Sequence, residues 1–257
     1  MASMKKRIKP LEPPQNYSIE ELKSRLQILE SKGSLPIFGQ NRNSAIGESL
    51  EIYLGLKTNS SRTADWGDYE LKTTSIGSNR KISLFNVRWE FQNDYTALNL
   101  VKQYGKKHHS KHLDLPVIRL DWDIAHSIAP IEELYVNFPV NRGFLTLNYA
   151  ERQIALVKRA DVQNWFINKF KNLVIVEVKK EKVDEVDGFL IQNAFLYRDT
   201  SFENFIAHIH TQEIKMAFKL MLIQPGTPNE KFNTRGSGFR ASQSVMSKLY
   251  SHKEKLL

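Results

Sequence analysis

Ala64-Asp65-Trp66-Gly67-Asp68-Tyr69-Glu70-Leu71-Lys72-Thr73 is the stretch on which the reading of this 257-residue chain turns. From residue 69 it has the composition of a short strand, and successive strand side chains point to opposite faces. Glu70 and Lys72 therefore share one face, and Tyr69, Leu71 and Thr73 share the other. Tyr69 and Leu71 are expected to pack into a core, leaving Glu70 and Lys72 on a polar surface. Asp65 precedes Glu70 by five residues and reaches the same point from the preceding turn.

Working outward, a helix is expected from Ser18, where Ser18 and Glu21 have the spacing of a capping box. Ile19, Leu22, Leu26 and Leu29 follow at helical intervals, and Gly33 is a plausible stop. A second helix is predicted over 45–54 with Ile46, Leu50 and Tyr53 as its apolar stripe and Gly55 closing it. Strands are expected at 69–74 and 81–87, joined by the Gly-Ser-Asn turn at 77–79. Residues 102–112 are polar and basic and read as a loop. Further strands are expected at 117–122, 133–138, 143–148, 173–178, 189–197 and 213–223. Helices are expected at 162–171, at 201–210 and over about ten residues at the C-terminus. Helices and strands intermix without repeats or low-complexity linkers. The prediction is one mixed α/β (α+β) domain over 17–257 with two lobes around a cleft, preceded by an unpacked basic arm at 1–16.

Composition narrows the class. With 41% hydrophobic residues the chain can bury a core, so disorder is not expected. The absence of cysteine excludes disulfides and thiolate metal sites and fits a reducing cytoplasm. No run of 18 or more apolar residues occurs, and no apolar segment follows the basic start, so neither a membrane span nor a signal peptide is encoded. Cytoplasmic localisation without membrane attachment is the expectation. Thirty-seven Lys and Arg against twenty-eight Asp and Glu give a net charge of +9. That excess attracts polyanions, most commonly nucleic acid.

Two acids and a lysine gathered as Asp65, Glu70 and Lys72 suit a metal-dependent phosphodiesterase. Carboxylate oxygens ligate a hard divalent cation, magnesium retains several waters, and the ammonium sits near an attacking water. An acid-x-lysine pair is equally what a solvated strand face carries, and Asp68 stands as a substitute for Asp65. The residues alone leave both readings open.

The run Ile46-Gly47-Glu48-Ser49-Leu50-Glu51-Ile52-Tyr53-Leu54-Gly55, followed by Ala64-Asp65 and Tyr69-Glu70-Leu71-Lys72-Thr73, resembles the catalytic core of MutH, a branch of the PD-(D/E)xK nuclease superfamily. Over the whole chain the likeness is closer to the family of the MvaI and BcnI restriction endonucleases, which share the five-residue spacing from Asp65 to Glu70. Ser83-Leu84-Phe85, Gln103-Tyr104-Gly105, Thr234-Arg235-Gly236 and Phe239-Arg240 resemble later segments of that family. The resemblance implies a restriction-endonuclease-like core, with a central mixed sheet flanked by helices, a catalytic part at about 17–125 and a DNA-recognition part at about 126–257. It implies Asp65 and Glu70 as ligands of Mg2+, for which Mn2+ substitutes, Lys72 as the catalytic lysine and Glu51 as a supporting glutamate. The family's proline before the aspartate is Ala64 here.

The activity implied is type II restriction: Mg2+-dependent, sequence-specific hydrolysis of double-stranded DNA leaving a 5′-phosphate. A monomer nicking the two strands in succession is implied, together with a cognate DNA methyltransferase. Two alternatives accompany it, a MutH-like strand-nicking mismatch-repair endonuclease and a catalytically inactive sequence-specific DNA-binding protein. Affinity for DNA comes from phosphate contacts and specificity from base edges. Arg235 and Arg240 are the candidates for base reading, on a loop flanked by Gly236 and Gly238 and expected to approach a groove, and Asn233 and Thr234 are further DNA-binding candidates. Thr234 stands where the family has an aspartate. Lys106, Lys107 and His108, with Lys111, His109 and His112 nearby, read either as a phosphate clamp or as a solvated loop, and nothing in their spacing supports a zinc site.

Overall fold

The acid-x-lysine run forms β2 (Tyr69–Ser75), which pairs in parallel with β10 (Asn172–Val183), placing Glu70 beside Leu173 and Lys72 beside Ile175. The computed structural model describes residues 8–38, 44–56, 63–78, 81–92, 95–111, 113–124, 127, 134–138, 143–183, 186–234 and 236–257. The chain divides into two compact units, one built from residues 1–79, 168–200 and 250–257 and the other from 80–167 and 201–249.

In the first unit β10 turns into β11 (Val186–Arg198) as a long antiparallel hairpin, and the sheet runs β1 (Leu35–Pro36), β11, β10, β2. A further strand, β15 (His252–Lys255), also pairs with β11. One face of the sheet carries Leu71, Val174, Val176 and Val178, which are buried with Leu22, Leu26 and Leu29 of α1 (Ile19–Ser31) and Leu50 and Tyr53 of α2 (Ala45–Tyr53). Leu173 and Ile175 on the other face are also fully buried. The continuous apolar run of β10 is thus that of a strand buried on both sides.

Local signals set the boundaries of α1 and α2. Ser18 Oγ accepts the Glu21 N–H at 3.2 Å and Gly33 ends the first helix at φ +76°. The Glu21 carboxylate accepts from the N–H groups of Gln15 and Asn16, so only half of the expected capping box forms. Gly55, at φ +83°, closes α2, and a Cβ there would lie 2.5 Å from the carbonyl oxygen of Glu12.

The expected unpacked arm at 1–16 is corrected over its described part. Leu11 N–H donates to Tyr53 O at 3.0 Å, Arg25 donates to the carbonyls of Glu12 and Leu54 at 2.6 and 3.0 Å, and Ile8 and Leu11 pack on the core. Apolar Ile8 and Leu11 give the segment something to bury, and Arg25 satisfies its backbone. Residues 1–7 lie outside the described residues.

The second unit holds a sheet in the order β3 (Ile82–Asn86), β14 (Gly238–Ala241), β12 (Lys215–Ile223), β6 (Leu115–Ile124), β5 (Lys106–Ser110), with β13 (Lys231–Asn233) also on β12. One of its faces is apolar, with Phe218 beside Trp122, Leu220 beside Leu120 and Leu222 beside Ile118. Tyr104 of α3 (Ala97–Tyr104) packs on Trp122, ring centres 5.9 Å apart. A second sheet runs β4 (Glu90–Phe91), β9 (Arg152–Lys158), β8 (Phe144–Tyr149), β7 (Leu134–Asn137). Phe205 of α5 (Phe202–His210) stacks on Phe166 of α4 (Arg159–Phe170) at 4.7 Å and on Phe239 at 5.2 Å. The last helix, α6 (Gln243–Leu249), buries Val245, Met246 and Leu249.

The mixed α/β expectation holds, with several differences in detail. β2 and β3 are not a hairpin, because each finds its partner far along the chain, β10 and β14 respectively. Residues 102–110 are not a loop but the end of α3 followed by β5. The 231–240 segment is two strands, and the C-terminal helix is shorter than expected and yields to β15. The division near 125/126 falls inside the second unit, since the first draws strands from residues 69–75, 172–198 and 252–255. Among the described residues no helix is long and apolar enough to cross a membrane.

Candidate active site

A tight turn presents the first acid. Trp66 and Tyr69 exchange backbone hydrogen bonds at 2.9 and 2.8 Å around Gly67, and the fully buried Trp66 donates its indole N–H to Ser18 O at 2.9 Å. The turn is thereby fixed to the start of α1. Asp65 Oδ2 accepts the N–H of Leu71 at 3.2 Å, which holds the carboxylate against β2 next to Glu70.

Glu70 is fully buried, contrary to the surface position expected for it, because both faces of β2 and β10 are covered. Its Oε1 takes an ion pair from Lys72 and a second from Lys169 at 3.3 Å, while its Oε2 is buried with no hydrogen-bond partner. Burial pushes the Glu70 carboxyl up to about 7; Lys72 opposes the rise, Asp65 adds to it and Lys169 opposes it. Lys72 keeps partial access to solvent, with its ammonium 5.9 Å from the centre of the Phe170 ring.

Glu51, on α2, is half-buried and also raised to about 7, first by burial and then by the Asp65 charge, against the pull of Lys72. The electrostatic coupling of Asp65 to both glutamates places all four expected residues, Glu51, Asp65, Glu70 and Lys72, in one neighbourhood. Two residues of this neighbourhood were missed. Lys169 sits in the last turn of α4, three residues before the strand parallel to β2, and nothing local in its helix distinguishes it. Tyr250 is buried, donates to Phe170 O at 2.7 Å, and has its hydroxyl pushed above the ordinary range by burial and by Glu70.

The donor set fits a hard divalent cation. A buried carboxylate oxygen lacks a partner, and burial raises two carboxyls in spite of the lysines beside them. Among the described residues no three acids or histidines converge closely enough to cage an ion by themselves. A site of two carboxylates completed by waters and substrate is what magnesium uses.

The residues expected to contact DNA separate into two groups. Strand alternation and register put Lys106, His108, Asn233 and Arg240 on the polar face of the β5–β6–β12–β14 sheet. Lys107 points to the opposite side together with His109, whose ring nitrogen lies 2.9 Å from Asp114. Thr234 is exposed just after β13, and Arg235 lies outside the described residues. The glycine-flanked segment is not the open loop expected. Gly238 is squeezed into the sheet, where a Cβ would come 2.1 Å from Phe85 O.

This architecture is that of a restriction endonuclease. The chain aligns with a solved MvaI–cognate DNA complex at a TM-score of 0.75 and 15% identity, covering 93% of this chain and 99% of that one. MvaI solved in the absence of DNA aligns at 0.51 and 14% identity, covering 96% and 100%. The model of the MvaI/BcnI restriction endonuclease family matches residues 23–250, and the chain belongs to that family. No curated protein sequence matches the chain.

Proposed function

We propose that this chain is a type II restriction endonuclease that hydrolyses both strands of duplex DNA at a short specific sequence, using Mg2+ and leaving 5′-phosphates. The observation that carries this reading is the partnerless, buried Oε2 of Glu70 beside Asp65, in a chain of a restriction endonuclease family. Asp65 and Glu70 would hold Mg2+, with Glu51 behind them, and Mn2+ would substitute. When bound, the ion supplies a lowered water pKa and offsets charge on the phosphate.

The chain's own groups do the rest. Lys72 orients the attacking water and balances negative charge as the phosphorus becomes five-coordinate. Lys72 and Lys169 oppose the rise that burial imposes on Glu70 and so favour its ionised form. The turn anchored by Trp66 fixes Asp65 at the N-terminal end of β2. A single set of acids and lysine cuts one strand at a time, so a monomer acting twice is proposed, paired in its host with a DNA methyltransferase protecting the same sequence.

Asp65→Ala and Lys72→Ala are expected to lower cleavage of a plasmid by roughly 10²–10⁴-fold or more while leaving DNA binding largely intact. Sequencing the ends of DNA digested by the wild-type protein gives the recognition sequence and cut positions. Wild-type-like cutting by either variant defeats the assignment. Nicking without linearisation points instead to a MutH-like strand-specific enzyme, and specific binding without any cutting points to a DNA-binding protein.

A further inference from the structure

The sheet of the second unit turns one face toward its apolar core and leaves the other polar. On the face opposite the apolar one β6 carries Val117, Arg119, Asp121 and Asp123 and β12 carries Lys215, Ala217, Lys219 and Met221; Val117, Ala217 and Met221 are buried there, Arg119, Lys215 and Lys219 are half-buried, and Asp121 and Asp123 are exposed. Across the strands Lys106 faces Arg119 directly, Arg119 faces Met221, and Lys215 faces Arg240 directly. Two like-charged pairs therefore stand opposite one another on the same face.

Directly opposed side chains in an antiparallel pair have Cβ atoms only about 5 Å apart, and like charges there are destabilising. Lysine on an edge strand is a common guard against aggregation and accounts for Lys106 by itself. It does not account for Arg119, because β6 lies between β5 and β12, nor for Lys215 and Arg240, because β12 and β14 are interior strands. The acids of this face are already engaged in part: Asp121 faces Lys219, and Lys81 donates to Asp123. Among the described residues no carboxylate pairs with Arg119, Lys106 or Lys215, and Arg119 Nε is buried without a hydrogen-bond partner. The arrangement is unfavourable for the protein alone and becomes favourable against a polyanion with closely spaced charges.

Resting on the nuclease reading above, we propose that this sheet face is a docking surface for the phosphate backbone of duplex DNA, on which Arg119 and Lys215 each neutralise a phosphate. Lys106 and Arg240, singled out from the sequence, gain a shared role with two residues that lie far from them along the chain. Phosphate contact fixes register and orientation without reading bases. Each contact releases counterions, so its presence is visible in the salt dependence of binding.

The test uses the full-length protein without divalent metal and a fluorescein-labelled duplex of about 30 base pairs, with anisotropy titrations at roughly 50 to 300 mM KCl. Arg119→Gln and Lys215→Gln are each expected to reduce the slope of log K against log salt by about 0.9, and the double variant by about 1.8. Lys23→Gln on exposed α1 removes the same net charge and serves as the comparison. Relief of the like-charge pairs should leave the melting midpoint unchanged or raise it by up to about 3 °C, which separates lost contact from lost fold. Slopes equal to those of the wild type or of Lys23→Gln overturn the proposal, as does a wild type that does not bind the duplex. Plasmid cleavage with Mg2+ is scored in parallel. A wild type that cuts while both variants keep the full slope defeats the docking face alone. A wild type that never cuts while the variants lose slope defeats the nuclease reading and leaves the docking face standing.

Discussion

Glu70→Gln should make the metal-free protein more stable at alkaline pH while destroying its cleavage activity. The side chain is fully buried, and its carboxyl is raised from 4.5 to about 7. A group whose folded-state value is raised contributes stability that is fully present below the unfolded value and lost as pH rises through the folded one. For Glu70 the loss runs from about pH 4.5 to about 7. At roughly 1.36 kcal/mol per pH unit, the ionised carboxylate at pH 8 costs the folded state about 3 kcal/mol relative to a neutral isostere. Glutamine keeps the shape and removes that cost. For a chain of this size the difference corresponds to a rise of roughly 6–10 °C in the melting midpoint. Melting is followed by circular dichroism in EDTA at pH 5 and pH 8. The variant should match the wild type at pH 5 and exceed it at pH 8. Added Mg2+ should raise the wild-type midpoint at pH 8 and leave the variant unmoved. A lower midpoint for Glu70→Gln at pH 8 refutes the reasoning, because Glu70 would then act chiefly as the anchor of Lys72 and Lys169.

Three further outcomes are expected. Lys169→Met removes a cation 3.3 Å from Glu70, so the acidic limb of the single-turnover pH–rate profile should move upward by roughly half a pH unit; no shift, or a downward one, contradicts the role given to Lys169. Arg25→Ala frees the carbonyls of Glu12, Pro13 and Leu54, and should lower stability by about 2 kcal/mol and expose the segment before Tyr17 to proteolysis, read by timed digestion and mass spectrometry. Gly55→Ala, at φ +83° with the Glu12 carbonyl in the way, should cost more than about 2 kcal/mol in denaturant unfolding, whereas Gly33→Ala, at φ +76° in open space, should cost only about 1 kcal/mol. Equal costs would mean that the crowding at Gly55 is relieved by movement of the 8–16 segment.

What the sequence revealed was mostly local. The Ser18 cap, the glycine stops after α1 and α2, and the apolar periods of the longer helices and strands need only neighbouring residues, and these elements form where expected. The missed elements lacked such a pattern or hid it. β5 is Lys-Lys-His-His-Ser with its first four residues exposed, so an edge strand paired on one side shows no apolar alternation. A cap for α3 was available in Thr96, whose hydroxyl accepts from Asn99 at 3.0 Å, but the basic run beginning at Lys102 masked the helix behind it. The supposed β2–β3 hairpin failed for another reason: a Gly-Ser-Asn turn permits a hairpin without requiring one, and which strands pair is decided by distant partners.

The same distinction governs the site. Glu51, Asp65, Glu70 and Lys72 could be picked out as candidates because one helix, a turn and a short strand carry them within about twenty residues of sequence. Their electrostatics were not legible, because these depend on β10 and α4, which enter about a hundred residues later. The apolar run of β10 already indicated a strand buried on both faces. Once that strand lies parallel to β2, Glu70 is buried too, and Lys169, in the last turn of α4 three residues before the strand begins, arrives beside it. Glu51 and Glu70 are then held near Asp65 where burial makes their ionisation unfavourable, with two lysines that only partly compensate. A site selected for stability would have its carboxyls held below their ordinary values, as Lys248 and His208 hold Glu213 at about 2 elsewhere in the chain. The opposite sign at Glu51 and Glu70 means that the folded protein works against these charges until positive charge is added. Protons supply it at low pH, and the proposed divalent cation would supply it at higher pH, so the strain at this strand end and the proposed chemistry have one cause.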